Sequence, residues 1–428
     1  MRSPRGQASA EYVAVIALVG LVLASAAALT TGGVGDALLR GIRRGLCAVT
    51  GTGCPAPRPA AAARPDLPPC PVARELRTEE LGGAAAIAKL ALELGMRVER
   101  RSDGRVVIAF ADTARAGLTA GVGAHVEAGP VRAGAVASVD GGLTFAAGRE
   151  WLLRDAAAAE RFLRRYGSNQ ELLGRAWRRV REHCPLCAVL TDDPPEPPEP
   201  DVRFEAGGAS AGAHARAGAG ALQATADAAL AGALGRRLER GGGLTWYLRL
   251  DARAAVHAGL VAGLDGIAAG SAMAAYSTDR RGRPARLALS VAGRVVAGVG
   301  WRVPPGMRRA LGRRAERGTA VEAESALDLA DPASAVAARR LLAALGSGGP
   351  ARIAGALAGL AARLRSSGAT TVQTWRVRGD RTHAGAGAGA GARLDADYSL
   401  ERSRQALTGV ATRLPGLGFM PRADCLAV

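Results

Sequence analysis

The most restrictive feature of the sequence is a strict alternation of apolar and polar residues. In the segment LTWYLRLDARAAV, one face carries Leu244, Trp246, Leu248, Leu250, Ala252, Ala254 and Val256, and the other carries Arg249, Asp251 and Arg253. A repeat of two residues is the repeat of a β-strand, whose side chains point to opposite faces of a sheet. The segment therefore predicts a half-buried strand of an antiparallel sheet with one solvated face.

Other segments extend this pattern to most of the chain. RLALSVAGRVV and ARLDADYSLER alternate in the same way, and RVVIAFADT and the Gly/Ala-rich runs at 116–139 and 207–226 also favour long strands. The silk-like HAGAGAGAGA, from His383 to Ala392, predicts a thin strand that another layer can approach closely, with a flexible linker as the alternative.

Two segments resemble copies of one unit that runs from a strand through an acidic turn into an amphipathic helix. They are 142–167 and 318–346, and in the second Asp331 and Pro332 form a helix start, with an N-cap followed by proline. We expect the helices DPASAVAARRLLAALG and PARIAGALAGLAARLRSS to cover one face of the sheet. The predicted fold class is α+β: an Ala/Gly-rich, long-stranded antiparallel sheet with packed helices, built from a duplicated unit.

Proline-rich stretches predict the domain boundaries. PAPRPAAAARPDLPPCP, over 55–71, is typical of a semi-rigid stalk, and DDPPEPPEPD, over 192–201, of an acidic linker. The expected organisation is a membrane segment with a short cysteine loop over 1–54, the stalk, a first module over 72–191, the linker and a second module over 202–428.

The amino-terminal region contains a membrane-length apolar run. From Tyr12 to Gly35 there is no charged residue. A helix of this length would cover about 36 Å, more than the roughly 30 Å hydrocarbon core of a bilayer. The run predicts a single transmembrane helix. A secretory signal peptide with basic Arg2 and Arg5 is the alternative, but it leaves the position of Glu11 unexplained.

The residues before this run resemble the class III signal of type IV pilins, most closely that of the Flp/Tad branch. The motif GQASAEY places Glu11 and Tyr12 after Gly6 at the family's spacing, and the resemblance covers about the first thirty residues. It implies that a prepilin peptidase cleaves between Gly6 and Gln7, and that Glu11 pairs with the new amino terminus of a neighbouring subunit. It also implies Tad-type pilus or secretion components as partners.

Six cysteines, at positions 47, 54, 70, 184, 187 and 425, suggest disulfides in an exported protein. Cys47 and Cys54 bound a short Gly/Thr loop that a disulfide could close. Cys184 and Cys187 form the one CxxC motif, for which a structural disulfide is favoured over a zinc site or a redox pair. The sequence leaves the remaining pairings, including those of Cys70 and Cys425, open.

The formal charge of +18 comes almost entirely from arginine, since Lys89 is the only lysine. The arginines are dispersed and aromatic residues are few, so specific nucleic-acid binding is not expected. An anionic surface, such as lipid headgroups or a cell-surface polymer, is a possible partner.

No catalytic constellation is recognisable. The five histidines form no HExxH motif, and there is no GxSxG elbow or P-loop. His125, His214 and His383 each precede an Ala/Gly strand and could converge on a metal, but equivalent strand starts in duplicated units explain them as well. We expect no catalytic residue, metal site or cofactor.

These features together predict a pilin-like or Tad-associated surface protein with a structural, adhesive or assembly role. Its single helix would cross the cytoplasmic membrane and its C-terminal domain would be extracytoplasmic. An exported enzyme or toxin held at the membrane by the same helix is the alternative.

Overall fold

A computed structural model of the chain describes residues 67–85, 88–128, 131–167, 196–219, 222–259, 262–302, 309–347, 350–390, 392–417 and 419–426. Almost all of these residues belong to one antiparallel sheet. Its strands are β1 (Pro71–Ala85), β2 (Ala88–Arg101), β3 (Val106–Ala128), β4 (Val131–Leu153), β5 (Val202–Ala219), β6 (Leu222–Glu239), β7 (Leu244–Gly259), β8 (Ala262–Thr278), β9 (Pro284–Arg302), β10 (Arg309–Asp328), β11 (Ala369–Ala390), β12 (Ala392–Arg413) and the short β13 (Phe419–Pro421).

The sheet closes into a barrel. Each strand pairs with its neighbour in sequence, and β1 also pairs with β12, from Ala73 opposite Ala406 to Ala85 opposite Leu394. This seam leaves only the three-residue β13, which pairs with the end of β12, outside the ring. Closure removes the unpaired edges that an open sheet would expose.

The α+β prediction is therefore wrong. The long strands and their antiparallel pairing are as expected, but they form a closed barrel instead of a sheet covered by helices on one face. Strands on both sides of the 192–201 segment belong to the same ring, because β4 pairs directly with β5.

The end of the barrel where β1 begins and β12 finishes is called here the terminal end. Three of its hairpins turn at Gly104, Gly242 and Gly282, whose φ angles are +82°, +90° and +75°. This left-handed region suits glycine, which has no Cβ to clash. Asp279 fixes one of these turns by accepting hydrogen bonds from the backbone N–H groups of Arg281 and Arg283.

The three described α-helices also lie in the connections at the terminal end. They are α1 (Ala156–Tyr166), between β4 and β5, and the pair α2 (Pro332–Ser347) and α3 (Pro350–Ser367), between β10 and β11. Asp331 accepts a hydrogen bond from the backbone N–H of Ser334, which confirms the predicted helix start at Asp331 and Pro332.

Each helical connection packs against a patch of the barrel wall. Phe162 of α1 packs on Phe110 and Trp151, and Leu360 of α3 packs with Leu287 and Leu327. These clusters hold the largest buried apolar side chains of the outer wall. The rest of that wall, farther from the terminal end, is not covered by the described helices.

The two ends of the barrel chain meet at the terminal end. Cys70, just before β1, forms a disulfide with Cys425, which follows β13. Arg422 lies beside it, donating to the carbonyl oxygen of Pro68 and to the carboxylate of Asp424. The Sγ atoms are buried among Val410 and Leu407. The seam between β1 and β12 is thus reinforced by a covalent bond.

Candidate functional site in the barrel lumen

Ion pairs that join distant strands identify the inner face of the barrel. Arg74 on β1 contacts Glu322 on β10, with 2.5 Å between Nη1 and Oε1. Strands β11 and β12 lie between these two in the sheet. Side chains on β1 and β10 can reach each other by a shorter path through the interior of the barrel than around its outside. The face that carries Arg74 and Glu322 is therefore the lumen.

Arg74 makes further contacts inside the lumen. Its Nε donates to Glu99 at 3.0 Å, and its guanidinium carbon lies 4.3 Å from the centroid of the fully buried Trp375 ring. The cation therefore faces two carboxylates and an aromatic face, all of which favour its charge.

A second ion-pair group centres on Glu150 of β4. Its Oε1 is 3.0 Å from Arg97 Nη2 on β2, and its Oε2 is 3.0 Å from Arg237 Nη2 on β6. Each carboxylate oxygen thus pairs with a different strand two positions away in the sheet. Glu150 is 8% exposed, and the two arginines supply the charge compensation that a buried carboxylate requires.

A third group joins β9, β10 and β12. Arg294 donates to Glu316 at 3.0 Å and lies 3.8 Å from Glu401. Glu316 is 3% exposed. The three groups cross the half of the lumen nearer the terminal end, where Trp375 and Val377 are also completely buried. Charged and aromatic side chains therefore obstruct this half.

A different arrangement lies farther along the lumen. His214 on β5 stands between two aspartates, with 2.7 Å from Nε2 to Asp140 on β4 and 2.8 Å from Nδ1 to Asp227 on β6. Gly212 leaves the space that the Asp140 carboxylate occupies, because a Cβ at position 212 would lie 2.8 Å from that carboxylate. The two aspartates bind opposite sides of the ring and do not converge on one point.

The outer wall has the opposite character. Side chains that project from it include the exposed apolar residues Leu81, Leu90, Leu92, Leu118, Val139, Leu143, Phe145, Leu230, Leu234, Val291 and Val295. Phe145 is 61% exposed and Val295 is 65% exposed. Most of the described wall is therefore charged on its inner face and apolar on its outer face, the reverse of a water-soluble sheet protein.

This inversion corrects the expectation for LTWYLRLDARAAV. Its alternation is as predicted, and Leu244 to Gly259 is strand β7. However, the face with Trp246 and Leu248 points out from the barrel, while Arg249 and Asp251 lie on the lumen face and pair with each other at 2.8 Å. The arginine face that we expected to be solvated is the inner one.

Several residues that the sequence singled out lie outside the described part of the chain. They are Gly6, Gln7, Glu11, Tyr12, Cys47, Cys54, Cys184, Cys187 and the apolar run Tyr12–Gly35. The structure pairs Cys70 with Cys425, with 5.9 Å between their Cα atoms. Sequence spacing gave no signal for this pair, since 355 positions separate the two residues.

The metal hypothesis for the histidines gains no geometric support from the described residues. His214 contacts its two aspartates, whereas His383 on β11 lies 3.7 Å from Asp397 on β12. The side chain of His125 is outside the described part. Cys70, Asp424 and Cys425 lie close together, but both sulfur atoms belong to the disulfide, which leaves no thiolate to bind a metal.

Among the described residues, no helix has both the length and the apolar composition needed to cross a bilayer.

The sequence matches no protein-family model and no curated protein. Solved structures that this chain matches include the β domain of the Bordetella autotransporter BrkA, at 9% identity over 78% of this chain and 98% of that chain, with a TM-score of 0.27. The transport unit of the Escherichia coli autotransporter AIDA-I is 10% identical over 84% and 95%, with a TM-score of 0.30. The translocator domain of NalP from Neisseria meningitidis is 10% identical over 86% and 95%, with a TM-score of 0.28.

The predicted function and localisation are wrong. A closed barrel with an apolar wall and a charged lumen is neither a pilin-like filament component nor an extracytoplasmic surface sheet on a single-pass anchor. The alternative of an anchored enzyme or toxin has no specific support in the described residues. Prepilin peptidase, Tad components and a cell-surface polymer as partners, and the lack of enzymatic activity, stay predictions.

Proposed function

We propose that the chain is a membrane-embedded β-barrel of the kind found in bacterial outer membranes, and that its lumen is a polar path held closed by ion pairs. The observation that carries this proposal is the combination of a closed ring of strands with an apolar outer wall and a charged inner wall. A closed barrel is one of the two backbone arrangements that leave no unpaired N–H or C=O group facing lipid.

The length of the strands supports the same conclusion. A tilted strand needs about 9 to 11 residues to cross the hydrocarbon core, and β3 and β4 extend well beyond that. On β4 the outward residues Val139, Gly141, Leu143 and Phe145 are all apolar or glycine. The part of the wall away from the terminal end therefore suits a bilayer, while the helices at the terminal end lie outside it.

In this proposal, the three ion-pair groups keep the path through the lumen closed. Arg74, Glu150 and Arg294 each bind carboxylates or guanidinium groups on strands that are not their neighbours. They hold side chains across the lumen where Trp375 and Val377 also fill space. Beyond them, the inner wall carries the small residues Ser210 and Gly212, followed by His214 between its two aspartates.

The proposal is tested by placing one tryptophan on each face of β6. Leu230→Trp projects from the outer wall, and Ala231→Trp, at the adjacent position, projects into the lumen. After reconstitution into vesicles, lipids brominated on their acyl chains should quench the added fluorescence of Leu230→Trp and leave that of Ala231→Trp nearly unchanged. Equal quenching of both, or no quenching of Leu230→Trp in folded protein, would contradict a lipid-facing outer wall.

A further inference from the structure

One sector of the outer wall does not fit the apolar pattern. On β10, β11 and β12, Arg317, Arg378 and Arg404 lie directly opposite one another in the registers of the two strand pairs. They therefore form a row of three arginines across adjacent strands, spaced by about 4.8 Å from strand to strand. All three side chains are exposed. We call this set the arginine row.

The arginine row faces away from the lumen. Trp375 and Val377, which alternate with Arg376 and Arg378 along β11, are completely buried on the inner face. Arg376 and Arg402 flank the row on the outer wall, and both are exposed. Five guanidinium groups thus share one surface.

Few acidic groups balance this charge. Arg404 has one ion pair, at 3.5 Å, with Glu75 on β1. Asp380 on β11 lies opposite Arg402, and Arg77 on β1, which is also opposite Arg402, pairs with Glu79 at 2.6 Å. Within the described part of the chain, no ion pair involves Arg317, Arg376, Arg378 or Arg402. Like charges directly opposite each other on paired strands are destabilising unless another group compensates them, so this surface favours an anionic ligand.

The position of the row along the barrel indicates what that ligand is. From Arg378, β11 continues to Ala390; Asp380, Thr382 and Ala384 share the outer face with Arg378, and the sequence of β11 after Ala384 is only glycine and alanine. This remaining length is close to the about 9 to 11 residues that cross a hydrocarbon core. Tyr398 and Leu400 lie beyond the row on β12, on the same outer face. On β10, Arg313 is opposite Thr382 in the register, so the sequence carries one more arginine between the row and the alanines. The arginine row therefore lies at the border of the apolar part of the wall, which is the level of the lipid headgroups.

We propose that the arginine row, with Arg376 and Arg402, is a binding site for the phosphate groups of anionic lipid headgroups. Guanidinium groups bind phosphate oxygens in a bidentate manner and stay charged at any physiological pH. Arginines at the bilayer midplane would destabilise the inserted barrel, whereas at the headgroup level the same residues gain from the anionic surface. This inference rests on the proposed membrane insertion.

The test compares two triple variants of the full chain that lose the same charge. Arg317→Gln, Arg378→Gln and Arg404→Gln remove the row. The control removes Arg339, Arg340 and Arg352, which are exposed on α2 and α3. Detergent-solubilised protein is titrated with a fluorescent phosphatidylglycerol, and with the matching phosphatidylcholine, in low salt. Heat-induced unfolding of each variant establishes that it is folded.

We expect the row variant to bind phosphatidylglycerol about a hundredfold more weakly than the unaltered protein, on the basis of about 1 kcal/mol per arginine near an anionic surface. The control variant should bind like the unaltered protein, and neither should prefer phosphatidylcholine. The proposal would be contradicted if both variants lost the same affinity for phosphatidylglycerol. It would also be contradicted if inorganic phosphate, at the concentration of the lipid, fully displaced phosphatidylglycerol from the unaltered protein. The bromine-quenching result for Leu230→Trp reports membrane insertion separately, so a barrel that inserts but shows no headgroup preference refutes only this inference.

Discussion

Arg74 on β1 and Glu322 on β10 meet across the interior of the barrel, with 2.5 Å between Nη1 and Oε1. Their strands are separated in the sheet by β11 and β12, so the pair connects two parts of the wall that have no backbone contact. This pair also holds a guanidinium over Trp375, at the level where the lumen is obstructed.

Removing this contact should open the lumen. In Arg74→Gln, we expect a higher single-channel conductance in planar bilayers than in the unaltered protein, since the guanidinium over Trp375 and its two carboxylate contacts are lost. The free energy of unfolding should fall by less than the about 3 to 5 kcal/mol typical of a fully buried broken pair, because Glu322 is 31% exposed.

The matched control is Arg236→Gln, which breaks the exposed outer-wall pair with Glu205. It should leave conductance unchanged and cost under about 1 kcal/mol. A conductance in Arg74→Gln no different from that of Arg236→Gln would show that the ion pair does not close the path.

The disulfide between Cys70 and Cys425 should contribute strongly to stability. In the chain-entropy description, a bond that closes a loop of more than a hundred residues is worth about 4 to 5 kcal/mol. We expect Cys70→Ser with Cys425→Ser to lower the urea midpoint of unfolding substantially without changing the strand content measured by circular dichroism. Reducing agent should shift the midpoint of the unaltered protein in the same direction. An unchanged midpoint in the double variant would argue against this bond as a support of the seam.

Two glycines of the barrel should respond differently to alanine. A Cβ at Gly148 would lie 2.1 Å from the ring of Phe204 and 2.5 Å from the carbonyl oxygen of Phe110, whereas a Cβ at Gly293 meets nothing within 4 Å. Gly148→Ala should therefore destabilise the barrel by about 1 to 3 kcal/mol, and Gly293→Ala should be nearly neutral. Denaturant titration of both variants measures this difference, and similar losses would mean that the space beside Phe204 is not required.

The hairpin of α2 and α3 should loosen in acid. The hydrogen bond from Arg363 and those from the hydroxyl and backbone N–H of Ser334 hold the pKa of Asp331 well below its ordinary value. A carboxyl whose pKa is lowered by folding stabilises the folded state above its unfolded pKa of about 3.9, and that contribution disappears as the pH falls through the folded pKa.

Hydrogen exchange at the amide of Ser334 measures this effect. The protection factor of this amide, which corrects for the pH dependence of intrinsic exchange, should fall below about pH 4 in the unaltered protein. In Asp331→Asn the protection factor should already be lower at neutral pH, because the charged contact to Arg363 is lost. Protection that is the same at neutral pH in both proteins would contradict this role of the carboxylate.

The sequence predicted individual strands well because alternation is a local property. β7 and β9 follow the patterns in LTWYLRLDARAAV and RLALSVAGRVV, and the helix beginning at Asp331 follows from its N-cap and proline. Local patterns define two faces of each strand. They do not determine which face of a strand forms the outer wall of the barrel and which faces the lumen.

That assignment depends on contacts between distant residues. The pairing of Ala73 with Ala406 decides that the sheet is a ring, and in β7 this ring turns the face with Arg249 and Asp251 inward. The contacts of Arg74 with Glu322 and of Arg294 with Glu401 likewise join residues that no sequence spacing connects. The lumen could therefore not be inferred without knowledge of this closure, and the prediction that the apolar faces form a core is wrong.

The bond between Cys70 and Cys425 has a topological consequence as well. It converts the polypeptide from just before β1 to just after β13 into a covalent macrocycle, to which the remaining residues are attached as tails. A motor that pulls on either tail would meet the disulfide before it could extract a single strand. Degradation by threading would then have to begin with reduction or with a cut inside the ring.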